Sequence, residues 1–184
     1  MEKILVIGGG GYVGTELISY LIKKNNYVYC IDKFIYEKNS FIKNSKKVNI
    51  LKYDITHSSF YNNIPADISS VIILAGLVGD PITKKYPELS HQINFLSIKK
   101  IVNFYKKLKV KLIFVSTCSN YGFLENKIAN EKTSLNPKSL YAKQKVKIEK
   151  YILSLRKKSK FIPTILRFST AFGVSARPRF DLTI

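Results

Sequence analysis

Cysteine, histidine and acidic residues are scarce in this chain, and it has no long apolar run. Two cysteines, Cys30 and Cys118, are too few for a disulfide framework and make no zinc pattern. Both sit at the ends of apolar runs, which predicts buried free thiols. His57 and His91 have no second ligand at useful spacing, so surface or capping roles are expected and metal binding is not. No stretch approaches the ~18 consecutive apolar residues of a membrane span. With 46% hydrophobic residues, the expectation is a soluble protein without membrane contact. No basic-then-apolar leader precedes the first apolar run, so no signal peptide is expected and the cytoplasm is the simplest location.

The shortage of acid is the odd feature. Twelve Asp and Glu stand against 31 Lys and Arg, a net charge of +19. Such an excess suits nucleic acid or an anionic surface. The lysines are scattered, however, as at Lys46, Lys84, Lys99, Lys106, Lys111 and Lys158, mostly on expected helix surfaces and loops. With Lys and Asn both abundant, compositional drift explains them equally well. No specific nucleic-acid partner is expected.

What the chain does have is a glycine run, Gly8-Gly9-Gly10-Gly11, followed by Tyr12, Val13 and Gly14. The apolar run Ile4–Ile7 before it reads as a buried parallel strand. After it, apolar residues at 17, 18, 21 and 22 recur at helical spacing. Strand, glycine turn and helix together form the context of a dinucleotide-binding loop, in which the helix N-terminus offers N–H groups to a pyrophosphate. The register is ambiguous: Gly9, Gly11 and Gly14 fit one spacing, Gly8, Gly11 and Gly14 another. A flexible turn is the plain alternative.

A second strand, Tyr27–Ile31, ends at Asp32, which lies 18 residues beyond Gly14. That is close to the ~20-residue offset of a carboxylate that holds an adenosine ribose. The same charge repels a 2′-phosphate, which favours NAD over NADP; Lys33 next door works against this. Residues 33–47 read as a polar loop with at most a short helical turn. Val48–Tyr53 is a third strand, ending at Asp54-Ile55. Asp54 either contacts the adenine or caps the turn through Thr56-His57-Ser58. Ser70–Leu74 is a fourth strand running into the small residues Ala75 and Gly76, where a cofactor can lie against backbone. A helix is expected over roughly 88–108, with apolar residues at 89, 93, 96, 101, 104, 105 and 108 and with Asn94 on or near its apolar face. Asn94 is either a structural bridge or part of a water network. A fifth strand, 111–116, leads to Thr117; a helix spans Ser139 to about Lys157; a sixth strand runs from Phe161 to Arg167.

Tyr141 and Lys145 are four apart on one helix, so they share a face. Tyrosine titrates near ~10, and a nearby ammonium favours its anion. Tyr141 could then exchange a hydroxyl proton while hydride moves at the same carbon. Thr117, at a strand end, could hold the same oxygen. The order glycine loop, ribose acid, small-residue strand end, hydroxyl strand end, Tyr and Lys gives the pair its meaning.

These pieces, together with Asn94, Tyr121-Gly122 and Leu166-Arg167-Phe168, resemble the extended short-chain dehydrogenase/reductase family of NAD-dependent sugar-nucleotide epimerases and dehydratases, over nearly the whole chain. The resemblance implies a doubly wound α/β parallel sheet, a Rossmann fold. It implies NAD held by Gly8, Gly11, Tyr12, Val13, Gly14, Asp32, Asp54, Ile55, Leu74, Ala75, Gly76, Tyr141 and Lys145. It also implies a nucleotide-sugar substrate, with Tyr141 as acid/base, Lys145 as its partner and Thr117 as the third catalytic residue. A homodimer is compatible with it. Dehydratases of the family usually follow their Thr with Asp-Glu; Cys118-Ser119 stand here, which leaves an epimerase or a 4-keto reductase ahead of a 4,6-dehydratase. Cys118 is read as structural. Family members carry a further C-terminal lobe for the sugar nucleotide. The expectation is one NAD-binding domain over 1–184, with 168–184 a tail leading toward a missing lobe: a fragment, a truncated gene or an inactive NAD-binding relic.

Overall fold

The apolar runs become six strands: β1 Lys3–Ile7, β2 Tyr27–Asp32, β3 Val48–Lys52, β4 Ser70–Ile73, β5 Lys111–Thr117 and β6 Thr164–Phe168. The computed structural model describes residues 1–35, 45–108, 110–125, 128–156, 161 and 163–179. Every neighbouring pair in the sheet is parallel, in the order β3-β2-β1-β4-β5-β6. A parallel sheet needs both faces covered, which is why β1 and β4 are apolar at almost every position. The order reverses between β1 and β4, and such a switch opens a crevice at the carboxyl ends of the strands.

The helices are α1 Tyr12–Lys23, α2 Ser58–Asn63, α3 Asp80–Lys85, α4 Pro87–His91, α5 Ile98–Lys107 and α6 Leu140–Arg156. The larger core lies between the sheet and α2, α5 and α6. It contains Leu5, Ile7, Ile31, Phe60, Ile73, Ile101, Tyr105, Phe114, Ile148 and Ile152. The smaller one is built under α1 from Ile4, Val6, Ile18, Val28, Cys30 and Ile72. On the edge strand β6, Ile165 packs into the larger core while Leu166 and Phe168 stay exposed.

The helix expected over 88–108 is a continuous rod with an interruption that periodicity does not reveal. Between α4 and α5, Gln92–Ser97 is π-helical. Its inward side in the first half is polar: Ser90, Asn94 and Ser97 are buried, whereas Leu89 and Leu108 are exposed. A π-turn widens the helix and often marks a functional place. The short helices α2 and α3 stand in stretches where the sequence predicts no helix. The α6 helix starts one residue later than expected because Ser139 caps it, its Oγ accepting from Ala142 N at 3.1 Å. The expected end at Lys157, most of the 33–47 loop (36–44) and the last part of the tail (180–184) lie outside the described residues. The described tail folds back onto α1: Ser175 Oγ donates to Tyr12 O at 2.8 Å, and Tyr12 Oη donates to Gly173 O at 2.6 Å.

Candidate active site

The glycine run turns the chain sharply between β1 and α1. Gly8 has a φ of +88°, and a methyl there would lie 2.5 Å from the Ala75 nitrogen. Gly14 faces the same turn from α1, where a methyl would lie 2.5 Å from Gly8 O and 2.7 Å from the Gly9 Cα. At Gly11 a methyl would approach only Gly8 O, at 3.3 Å. The positive φ of Gly8 favours the Gly8/Gly11/Gly14 register; a methyl at Gly9 would be crowded too, but by side chains, Cys30 at 2.7 Å and Ile18 at 2.8 Å. The first turn of α1 has no capping side chain and no acidic residue, so its amides remain available to an anion. Tyr12 and Val13 sit on that turn. Together with Leu17 and Phe172 they line a cavity of about 360 Å³ against the tail.

The strand ends close the rest of the crevice. Asp32 ends β2, and its Oδ2 accepts from Gly10 N at 3.0 Å while its Oδ1 accepts from Phe34 N at 2.8 Å. Leu74 N and Ala75 N both donate to Ile7 O, at 2.8 and 2.9 Å, which ties the end of β4 to the start of the glycine turn. Asp54 caps the turn after β3. Its Oδ1 accepts from Thr56 N (2.9 Å) and Thr56 Oγ1 (2.7 Å), and its Oδ2 pairs with Lys33 Nζ at 2.7 Å. Burial would raise the Asp54 carboxyl, but the bonds from Lys33 and Thr56 outweigh it and hold the group below the usual carboxylate range. Ile55 turns into the core.

Gly76 follows at the end of β4, where a methyl would meet Asn94 Oδ1 at 3.1 Å and Lys145 Nζ at 3.8 Å. Asn94 is a bridge rather than a free polar group. Its Oδ1 accepts from Leu77 N at 2.8 Å, and its Nδ2 donates to Leu77 O at 3.0 Å and to Gln144 Oε1 at 3.0 Å. Ser90 Oγ donates to the same Gln144 oxygen at 2.6 Å. This buried network fastens the loop after β4 to α6 one residue before Lys145.

Lys145 is 4% exposed, and its Nζ donates to Val115 O on β5 at 2.9 Å. It lies 4.7 Å from the Phe114 ring centre and 5.7 Å from the Tyr141 ring centre. Burial draws its pKa down to about 8, with Glu149 opposing. The sequence reasoning expected Lys145 to lower Tyr141; instead burial pushes Tyr141 up to about 12, Arg179 pulling it down and Asp80 and Cys118 adding to the rise. The ammonium is committed to the β5 carbonyl, and a half-buried phenol holds its proton. Thr117 ends β5 with its hydroxyl accepting from Ser119 N at 3.2 Å, so it caps the 3₁₀ turn Cys118–Tyr121. Of the two cysteines, Cys30 is buried and its pKa is pushed up to about 12 by burial, then by Asp32, but Cys118 is exposed. Cys118 follows the strand end onto a polar turn rather than continuing the apolar run.

Sequence reasoning missed a second buried network behind the site. Glu149, one turn beyond Lys145, accepts from Asn120 Nδ2 at 2.7 Å and pairs with Arg167 Nη2 at 2.7 Å. Arg167 Nη1 donates to Tyr121 Oη at 2.9 Å. The spacing Tyr141, Lys145, Glu149 was the signal available for it. Arg179 and Ser175, from the tail, had none.

The same fold recurs in known proteins. The chain is 27% identical to UDP-glucose 4-epimerase of Lactobacillus helveticus over 95% of this chain and 53% of that protein. It is 30% identical to dTDP-D-glucose 4,6-dehydratase of Dictyostelium discoideum, over 97% of this chain and 46% of the other. The structure of UDP-glucuronic acid 4-epimerase from Bacillus cereus, in complex with UDP-glucuronic acid and NAD, superposes with a TM-score of 0.86 at 26% identity, over 96% of this chain and 59% of that one. The chain thus spans about half the length of the curated relatives it matches. Residues 4–183 match the NAD dependent epimerase/dehydratase family, to which the chain belongs.

Proposed function

We propose that these 184 residues form the cofactor-binding and proton-transferring part of an NAD-dependent sugar-nucleotide epimerase or 4-keto reductase. The observation that carries this reading is the convergence at Gly76: the end of β4, Asn94 and the buried Lys145 meet there, with Tyr141 one turn back on α6. The residues present fit a dinucleotide. Gly11 leaves room for a pyrophosphate, the α1 amides face it, and Asp32 offers a carboxylate at the ribose position. NAD bound there would accept and return hydride.

The chain's own residues do the rest. Burial holds the Tyr141 phenol near 12, so at pH 7 it can give a proton to a keto oxygen; to take one from a sugar hydroxyl it must first release its own to solvent, which the Lys145 charge and the positive charge of bound NAD would favour. Lys145, charged at pH 7, balances the negative charge that develops on that oxygen and on the phenolate. Thr117 can offer its hydroxyl by giving up its bond to Ser119 Oγ. Cys118 and Ser119 occupy the two positions after Thr117, and neither side chain is a carboxylate pair for removing water, which favours epimerisation or reduction over dehydration.

The test is to load the purified chain with NAD and follow UDP-, GDP-, dTDP- and CDP-sugars by NMR, and to supply NADH with the corresponding 4-keto sugars. Slow inversion or reduction of one of them is expected, lost in Tyr141→Phe while NAD affinity is kept. Turnover that survives Tyr141→Phe would sink the assignment.

A further inference from the structure

We propose that Asp54 sets the cofactor preference of this chain by holding Lys33 away from the ribose edge that Asp32 marks. The inference rests on the reading of the glycine-loop crevice as a dinucleotide site. Lys33 directly follows Asp32, so an unrestrained ammonium there is within reach of a ribose 2′-phosphate and would offset the repulsion from the Asp32 carboxylate.

The structure turns that ammonium the other way. Lys33 Nζ lies 2.7 Å from Asp54 Oδ2, with the two side chains 58% and 28% exposed. The backbone favours this direction. Tyr53 N donates to Asp32 O at 3.0 Å, which brings the end of β3 alongside residue 33. Phe34 N donates to Asp32 Oδ1 at 2.8 Å and fixes the turn on the other side. Asp54 is the stationary partner, because Thr56 N and Thr56 Oγ1 hold its other oxygen at 2.9 and 2.7 Å. Lysine is the mobile one, a flexible stem anchored at one point. Lys52, the register partner of Asp32, is exposed and has no such tether among the described residues.

An exposed ion pair adds little to stability. Its consequence here is directional. It spends the charge nearest the ribose on a carboxylate, and it leaves Asp32 to repel a 2′-phosphate unopposed.

The test is calorimetric titration of NAD and of NADP into the 184-residue chain and into Asp54→Asn, Lys33→Met and the double variant. Asparagine keeps an oxygen for both Thr56 bonds and removes only the charge. Asp54→Asn is expected to shift the ratio of NADP to NAD affinity toward NADP by about threefold to fivefold. The double variant should lose that gain. Lys33→Met alone, which disturbs no backbone bond, should leave NADP affinity within about twofold of the parent. An unchanged NAD/NADP ratio in Asp54→Asn, or a gain that persists in the double variant, overturns the proposal and leaves the cofactor site standing. So does a severalfold loss of NADP affinity in Lys33→Met alone, which would mean that Lys33 already serves the phosphate. A parent chain that binds neither dinucleotide overturns both readings.

Discussion

At the scale of single residues, Lys145 carries the sharpest conflict between folding and chemistry. Burial draws its pKa from ~10.5 down to about 8. Below pH 8 the folded chain keeps a charged ammonium out of water. Between about 8 and ~10.5 the unfolded chain binds a proton that the folded chain has lost, so stability rises with pH across that window. The gain is cut short from ~9 upward, because Cys30 and then Tyr141, both held near 12, keep protons that the unfolded chain releases. Lys145→Met should therefore be more stable than the parent at pH 7, by about 1 kcal/mol after the lost Val115 bond is deducted, and should lack the rise from pH 8 to 9. Urea unfolding at pH 7, 8 and 9 measures it. A parent curve that is flat over that range, or a variant less stable at pH 7, would contradict the assignment. Most of the residues around Lys145 were hidden from sequence reasoning because they are polar and buried. Ser90, Asn120, Gln144 and Glu149 look like outer-face residues until the hydrogen bonds that satisfy them are seen.

At the scale of elements, the strands were legible and the irregular helices were not. β1, β2, β4 and β5 are short apolar runs that end at turn residues, whereas the order β3-β2-β1-β4-β5-β6 in which the strands lie needed the structure. The π segment at Gln92–Ser97 escaped because its inward residues, Asn94 and Ser97, break the apolar stripe that periodicity follows. α2 and α3 are six residues each, too short for a helical period to repeat. The glycine turn was legible as an element, but its register needed coordinates, and two substitutions separate its parts. Gly14→Ala puts a methyl against the backbone of Gly8 and Gly9, which cannot yield without moving α1, so a loss of about 1–3 kcal/mol is expected. Gly11→Ala meets only one atom and sits at an extended N-cap position, so stability should hold within about 1 kcal/mol. The methyl would, however, stand where a pyrophosphate must approach, and NAD affinity should fall by at least about tenfold. Thermal melts and NAD titration of both variants check the pair. Equal loss of stability, or full NAD affinity in Gly11→Ala, would show that the loop does not work this way.

At the scale of the whole molecule, the +19 charge and the span of the chain decide what to expect. Part of the lysine excess is laid over aromatic rings: Lys99 over Tyr151 at 5.1 Å, Lys100 over Tyr61 at 5.9 Å and Lys147 over Phe95 at 4.2 Å. These are surface contacts on α5 and α6, spread along the helices. The span bears directly on catalysis. Every residue assigned here lies on the cofactor side of the crevice, and the chain covers 59% of the Bacillus cereus epimerase. A sugar nucleotide also has a diphosphate and a base, and holding those remote groups is what places the reacting carbon. Positioning of that kind accounts for ~7–11 kcal/mol of a barrier. The 184-residue polypeptide should accordingly saturate with NAD yet turn over its best sugar nucleotide at least about a thousandfold more slowly than a full-length relative measured beside it. Raising the sugar-nucleotide concentration should recover part of the rate, because the deficit is in holding the substrate rather than in Tyr141 and Lys145. A rate within about tenfold of the full-length relative would mean that the β5–β6 edge and the tail over α1 already hold the nucleotide, and that these residues suffice for the reaction.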